Sequence, residues 1–264
     1  MTQFIVDVDR SWYRDLDYVF NFGAVTKPRG MLIRESIAYK SIIDMKSPII
    51  MNRRRKLGYK FMAAEAAWIL SGDDRLESIK PYSKDIEKFS DDGVAFFGAY
   101  GPKIINQISS VRDTLISDRD SRQAVLTIWR QNPPPSKDIP CTIALQWLIR
   151  NNVIHCVASM RSSDLWLGHP YDIFNFSAVS FYLMLLINQR TEDKILDLGL
   201  LHLTAGSKHI YDRNMEDVSD ILSSDVPEVG SPDVFNESLY SRPDEFISHL
   251  WDCANSDEGS LKLL

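Results

Sequence analysis

The chain has 264 residues, 44% of them apolar and 25% charged, the balance of an ordinary globular protein long enough for one large domain. Net charge is −6 and the isoelectric point about 5.4, which argues against a general grip on nucleic acid. Cys141, Cys156 and Cys253 form no CxxC pair, so a disulfide framework and a zinc site are both excluded and a reducing cytoplasm is expected.

Acidic residues follow Met1-Thr2-Gln3-Phe4, so no signal peptide is expected. No apolar run approaches the ~20 residues of a membrane helix. The basic run Arg53-Arg54-Arg55-Lys56 is a solvated surface or, alternatively, a phosphate contact. Residues 59–71 have high helix propensity and an apolar face, stopped by Gly72 and Asp73. Within them Glu65 stands among alanines beside Trp68, an expensive place for an unpaired charge.

A second helix is predicted over 106–116 and a β-rich strand over 123–130. Residues 132–136 are a loop. Residues 142–149 and 152–160 are apolar runs split by Arg150-Asn151-Asn152, a strand–turn–strand. Residues 174–189 are apolar almost all round, hence a buried helix, and 196–203 are a further strand. The tail from Ser223 should wind over the surface and end in a short helix near 243–253. Mixed strands and buried helices imply an α/β or α+β fold in one domain, residues 1–264.

Three places carry candidate chemistry. Cys141 follows Pro140 at a loop edge; a free thiol there is an inert core residue or a nucleophile. Residues 160–172 crowd Arg161, Ser162, Ser163, Asp164 and Asp172 around a Gly168-His169-Pro170 turn, a natural place for a site, or a polar turn with an Arg161–Asp164 surface pair. His209 and Tyr211 are two apart, and on an extended segment both point to one side, where both can bond a sugar hydroxyl.

Together these fragments resemble the thymidylate synthase family, in order and in spacing, over about residues 27–215. The matching pieces are Glu65 before Trp68, Tyr100-Gly101, Asp120-Ser121-Arg122-Gln123, Pro140-Cys141-Thr142 with Gln146, Arg161-Ser162-Ser163-Asp164 through Gly168, Pro170, Tyr171 and Asp172, and His209 with Tyr211. The resemblance implies a mixed twisted sheet flanked by helices, with a sheet face serving as a homodimer interface. It implies a pyrimidine nucleoside monophosphate and 5,10-methylenetetrahydrofolate as partners, with no metal, membrane or direct nucleic acid. Cys141 would attack C6 of the base, with its thiolate favoured by nearby cations. Glu65 would be a buried acid–base group whose pKa burial raises toward neutrality, against the alternative of a buried ion pair.

Arg29, Arg161, Ser162 and Arg122 from a partner subunit would bind phosphate, with Gln146, Ser163 and Asp164 also in contact with substrate, and His209 and Tyr211 on the 3′-hydroxyl. Ile86, Phe89, Asp164, Leu167, Gly168 and Tyr171 would border the folate. Departures from the family pattern are informative. Its uracil-reading Asn is Asp172 here; Asp offers acceptors for cytosine N4–H and can share a proton with N3, as in phage deoxycytidylate hydroxymethylases. A family Trp that excludes water is absent, with Ile86 and Phe89 at the corresponding places. Thr142 replaces a His, Gln123 an Arg, and the ending Leu261-Lys262-Leu263-Leu264 is unlike the family tail. The expectation is hydroxymethyl transfer to dCMP, with a methylating synthase or an inactive nucleotide-binding relative as alternatives.

Overall fold

The computed structural model describes residues 7–191, 195–224, 230–236, 240 and 242–256. Its elements in chain order are α1 (Val8–Phe22), β1 (Ala24–Thr26), β2 (Ile33–Asp44), α2 (Tyr59–Leu70), α3 (Leu76–Ile79), α4 (Gly101–Ser117), β3 (Val125–Thr127), β4 (Thr142–Arg150), β5 (Val153–Asp164), α5 (His169–Asn188), β6 (Asp197–Tyr211), α6 (Met215–Leu222) and α7 (Pro243–Asn255). The strands form one mixed sheet in the order β1-β2-β6-β5-β4-β3. Only β5 and β6 are parallel, as the α5 crossover between them requires. The expected α+β architecture is the one observed.

The β4–β5 hairpin turns on Asn151 and Asn152, both at positive φ (54° and 62°), the conformation a two-residue hairpin demands and Asn tolerates. Leu145, Trp147 and Ile149 of β4 and Ile154, Cys156, Ala158 and Met160 of β5 are buried. Their alternates Ala144, Gln146, Leu148, His155, Val157 and Ser159 stay half-buried on the opposite face. The core lies between the sheet and α1, α2, α4 and α5. Helix α5 is buried nearly all round because Phe174, Phe176, Phe181 and its aliphatic residues leave no polar stripe. By length and composition it could cross a membrane, contrary to the sequence expectation of no such run, but it is enclosed by the fold.

One irregularity shapes the site. Pairing skips Ala38 and Gly206 between β2 and β6, and Arg161 and Gly206 between β5 and β6. Ala38 has φ 54°. Beyond this line the buried alternation slips by one residue: Met160 gives way to Ser163, and Ala205 to Lys208 and Ile210. Gly206 is where the strands close up, since a Cβ there would stand 2.9 Å from the Arg161 carbonyl oxygen. Gly206→Ala is therefore expected to cost about 1–3 kcal/mol, the usual penalty of overpacking, read as a lower melting temperature. An unchanged melting temperature would show that the strands can part freely there.

Several boundaries differ from the sequence expectation. The second helix starts at Gly101 rather than 106, and α5 at His169 rather than 174, because Pro102 and Pro170 sit in the first turn, where the missing N–H costs nothing. The strand expected over 123–130 is regular only at Val125–Thr127, at the sheet edge. The strand expected over 196–203 runs to Tyr211 and that of 152–160 to Asp164. Arg161 to Asp164 thus belong to a strand, not a loop. Residues 225–229, 237–239, 241 and 257–264, which include part of the expected surface tail and the Leu261–Leu264 ending, and Met1–Phe4 lie outside the described residues.

Candidate active site

Cys141 opens β4 and is half-buried. Its carbonyl accepts the Arg161 N–H at 2.8 Å, and the Ser162 hydroxyl donates to its Sγ at 3.6 Å. Arg161 donates from Nε to the Pro140 carbonyl at 3.0 Å, from Nη2 to the Ile139 carbonyl at 2.9 Å and from Nη1 to Ser162 Oγ at 3.0 Å. Three of its five N–H groups are engaged, and two remain for an anion. The Arg161–Asp164 surface pair is not formed.

Burial pushes the Cys141 thiol up, while Arg161 and the Ser162 bond pull it down. The sequence expectation that cations favour the resting thiolate is thus outweighed by desolvation.

Beside the thiol is a group of acids. Glu65, on α2, accepts a hydrogen bond from Asn175 Nδ2 at 2.7 Å, and burial pushes its pKa up to about 7. Among the described residues no cation is paired with it, and its hydrogen-bond partner is the neutral Asn175 amide. Asp172, in the first turn of α5, is driven well above the usual carboxylate range by burial, then by Glu65 and Asp164, and is held back by Lys208. Tyr100 caps α4. Its hydroxyl accepts from Thr142 Oγ1 at 2.9 Å and from the Thr142 N–H at 3.3 Å. Burial, Asp172 and Cys141 raise its pKa well above the ordinary value. Thr142, at the position of the missing His, thereby anchors Tyr100.

The third wall is the β5–α5 turn. Asp164 Oδ1 accepts the N–H groups of Trp166 at 2.9 Å and Leu167 at 3.1 Å, so it shapes the turn, and it pairs across the sheet with His209. Burial raises its pKa, opposed by these bonds and by His209. The His209 and Tyr211 rings meet edge to face at 5.1 Å, as two side chains of one strand face should. Gly168 caps α5. Tyr171 accepts the Gly58 N–H at 3.1 Å and packs its ring on Phe61 at 5.3 Å. Leu167 is 41% exposed. Ser163 is buried, its Oγ 3.3 Å from His169 Nδ1, so it serves the interior.

Other sequence candidates stand apart from this group. Arg29 is exposed at φ 51° on a short 3-10 turn. Arg122 is exposed, and its carbonyl accepts the Gln146 Nε2 bond at 2.8 Å. Gln146 thus faces away from the core side and holds the β3 edge. Ile86 packs half-buried against the core, and Phe89 is exposed under the Lys88 ammonium at 5.4 Å. The basic run is not simply solvated: Arg55 donates to the Trp166 carbonyl at 2.6 Å and lies 5.0 Å from that ring.

Sequence reasoning missed Asn175, Tyr100 as a member of the acid group, and Arg55. Asn175 had a readable signal, three residues after Asp172 and so on the same helix face. Among the described residues no cluster of three His, Cys, Asp or Glu is arranged to hold a metal.

The thymidylate synthase family model matches residues 13–234. The chain is 27% identical over 239 residues to a deoxyuridylate hydroxymethyltransferase of Bacillus phage SP01, covering 81% of this chain and 59% of that protein. It is 25% identical over 240 residues to the thymidylate synthase of Francisella tularensis subsp. holarctica, covering 81% of this chain and 84% of the relative. With the family model spanning most of its length, the chain belongs to the thymidylate synthase family.

Proposed function

We propose that the protein transfers a one-carbon unit from 5,10-methylenetetrahydrofolate to C5 of a pyrimidine nucleoside monophosphate, with dCMP as substrate and 5-hydroxymethyl-dCMP as product. The observation that carries this reading is Asp172 beside the Cys141–Tyr100 pair, at the position where the family places its base-reading Asn. A carboxyl offers cytosine an acceptor for N4–H and a proton to share with N3. The thiol is equally suited to the chemistry: Cys141 Sγ bonds C6, which makes C5 a carbon nucleophile.

Folate, when bound, supplies the carbon at the oxidation level of formaldehyde. Exposed Leu167, the Tyr171–Phe61 ring pair and Arg55 over Trp166 form an apolar wall with a cation at its rim, which suits a flat ring carrying an anionic tail. Glu65 takes and returns protons near C5 and on the incoming water, held in place by Asn175. The free N–H groups of Arg161, with Ser162, hold phosphate, and Arg29 and Arg122 join them through loop closure and a partner subunit. His209 and Tyr211 hold the sugar. Ile86 and Phe89 leave water access that a Trp would close.

The half-buried outer sheet face, with Leu148, Val157 and Leu200 among its residues, suits cover by a second copy, which would also bring Arg122 to a partner's pocket. The phage relative favours a second reading, the same reaction on dUMP, since that protein is a deoxyuridylate hydroxymethyltransferase. Asp172→Asn distinguishes them. It is expected to change the dCMP-to-dUMP ratio of kcat/KM by about 10²-fold toward dUMP, because a buried polar group left unpaired discriminates strongly. A ratio that stays put would overturn the role given to Asp172.

A further inference from the structure

Lys208 is fully enclosed, 0% exposed, on β6 one residue before His209. Its Nζ lies 3.3 Å from Asp15 Oδ2, also 0% exposed, against the Ser41 hydroxyl, and 5.4 Å from the Tyr39 ring centre. Ser41 also donates to Asp15. On the far side, Asp15 Oδ2 is 4.0 Å from His169 Nε2, and His169 Nδ1 meets Ser163 at 3.3 Å. His169 opens α5, and Asp172 follows three residues later on the same helix face.

A buried ion pair adds little stability over apolar residues of the same volume, so this cluster calls for another account. Its location supplies one: it ties α1, β2 and β6 to the helix turn that carries Asp172.

We propose that Lys208 is a base-selecting positioning residue: clamped by Asp15 and Ser41 behind the first turn of α5, it sets a positive charge behind Asp172 and so favours cytosine over uracil. This rests on the reading of Asp172 given above. Cytosine N3 is a base able to draw a proton from a carboxyl, whereas uracil O4 is a weak acceptor. A cation behind Asp172 makes its carboxyl a readier proton donor, which strengthens the bond to N3 more than the bond to O4.

The groups facing Asp172 are Glu65 of α2, Asp164 of β5 and Lys208 of β6, with Tyr100 at the start of α4 and the Cys141 thiol before β4 also within its field. The two acids hold its proton on, and Lys208 opposes them. Those facing Lys208 are Asp15 and Arg14 of α1, Tyr39 and Ser41 of β2, and His169 and Asp172 of α5. His169 is held neutral by burial and by Lys208.

The test neutralises the pair in two ways, Asp15→Asn with Lys208→Gln, which keeps hydrogen bonding, and Asp15→Leu with Lys208→Met, which keeps volume. Lys208→Arg retains the charge. For each, kcat/KM on dCMP and dUMP is measured across pH, with thermal unfolding. In a folded neutral variant the dCMP-to-dUMP ratio is expected to fall about tenfold, the worth of one pKa unit, and the alkaline limb of the dCMP profile, where the Asp172 proton is lost, to move to higher pH. Lys208→Arg should hold the ratio.

A folded neutral variant with unchanged ratio and pH profile overturns the proposal, since a merely structural cluster would move only the melting temperature. Asp172→Asn, run in parallel, separates the two readings. If it shifts the ratio while the neutral pairs do not, Lys208 is not a selector and the role of Asp172 stands. If Asp172→Asn leaves the ratio fixed, the reading of Asp172 fails and the role of Lys208 falls with it.

Discussion

Cys141→Ala is expected to lower turnover on the order of 10⁵-fold, the scale of removing a covalent nucleophile, while leaving nucleotide binding and fold in place. The side chain is half-buried at the mouth of β4, so trimming it should change stability by no more than about 1 kcal/mol. Its neighbour Arg161 donates to the Ile139 and Pro140 carbonyls and to Ser162 without it, so the phosphate-binding groups should survive. The matched control is Cys156→Ser. That thiol is fully buried and pushed up to about 12 by burial, which makes it inert, and activity should persist. Assay of both variants with equilibrium nucleotide binding checks the pair; retained turnover in Cys141→Ala would remove the thiol from the mechanism.

The second large effect concerns Glu65. Glu65→Gln should lower kcat by about 10²–10⁴-fold, the usual worth of a positioned acid–base group, and erase the inflection near pH 7 that its raised pKa places in the wild-type profile. Stability should move the other way. The folded carboxyl holds its proton more tightly than the unfolded one, from the ordinary value of 4.5 up to about 7. Folding therefore takes up a proton between those values, and stability falls as pH rises through that window. Below it the wild type bears no such cost.

Glu65→Gln keeps an oxygen acceptor for Asn175 and has no proton to lose. Above pH 7 it should be more stable than wild type by up to about 3 kcal/mol, at 1.36 kcal/mol per pKa unit. Thermal unfolding across pH reads this directly, and a variant that tracks the wild-type curve would mean the acid is not strained by burial.

The pattern of success in reading the sequence follows from the physics. The α2 helix and the β4–β5 hairpin were legible because their apolar runs and Asn turn agree with their tertiary roles. The N-terminal α1 and β2 were not. The buried face of α1 mixes Asp9, Ser11 and Asp15 with Val8, Trp12, Leu16 and Val19, and β2 buries Ser41, so polar residues interrupt the apolar pattern of each. Those polar residues have partners far along the chain: Asp9 accepts the N–H groups of Met51 and Asn52, and Asp15 and Ser41 meet Lys208.

The end of β6 was hidden for the same reason, because Gly206, Ser207 and Lys208 read as a polar break until the strand slip at Gly206 is seen. The site was legible in fragments: Cys141, Glu65, Asp172 and the His209–Tyr211 pair stood out as residues, and their expected roles came from the resemblance to the family. What spacing could not give was the direction of Gln146 and Ser163, or the anchoring of Glu65 by Asn175, since these depend on which face each strand presents.

The most direct measurement is the mass of the product formed when the protein and 5,10-methylenetetrahydrofolate are incubated with dCMP and, in parallel, with dUMP. The account predicts a hydroxymethyl group gained on dCMP. A methyl gain would contradict capture by water, and reaction on dUMP alone would contradict selection of cytosine by Asp172.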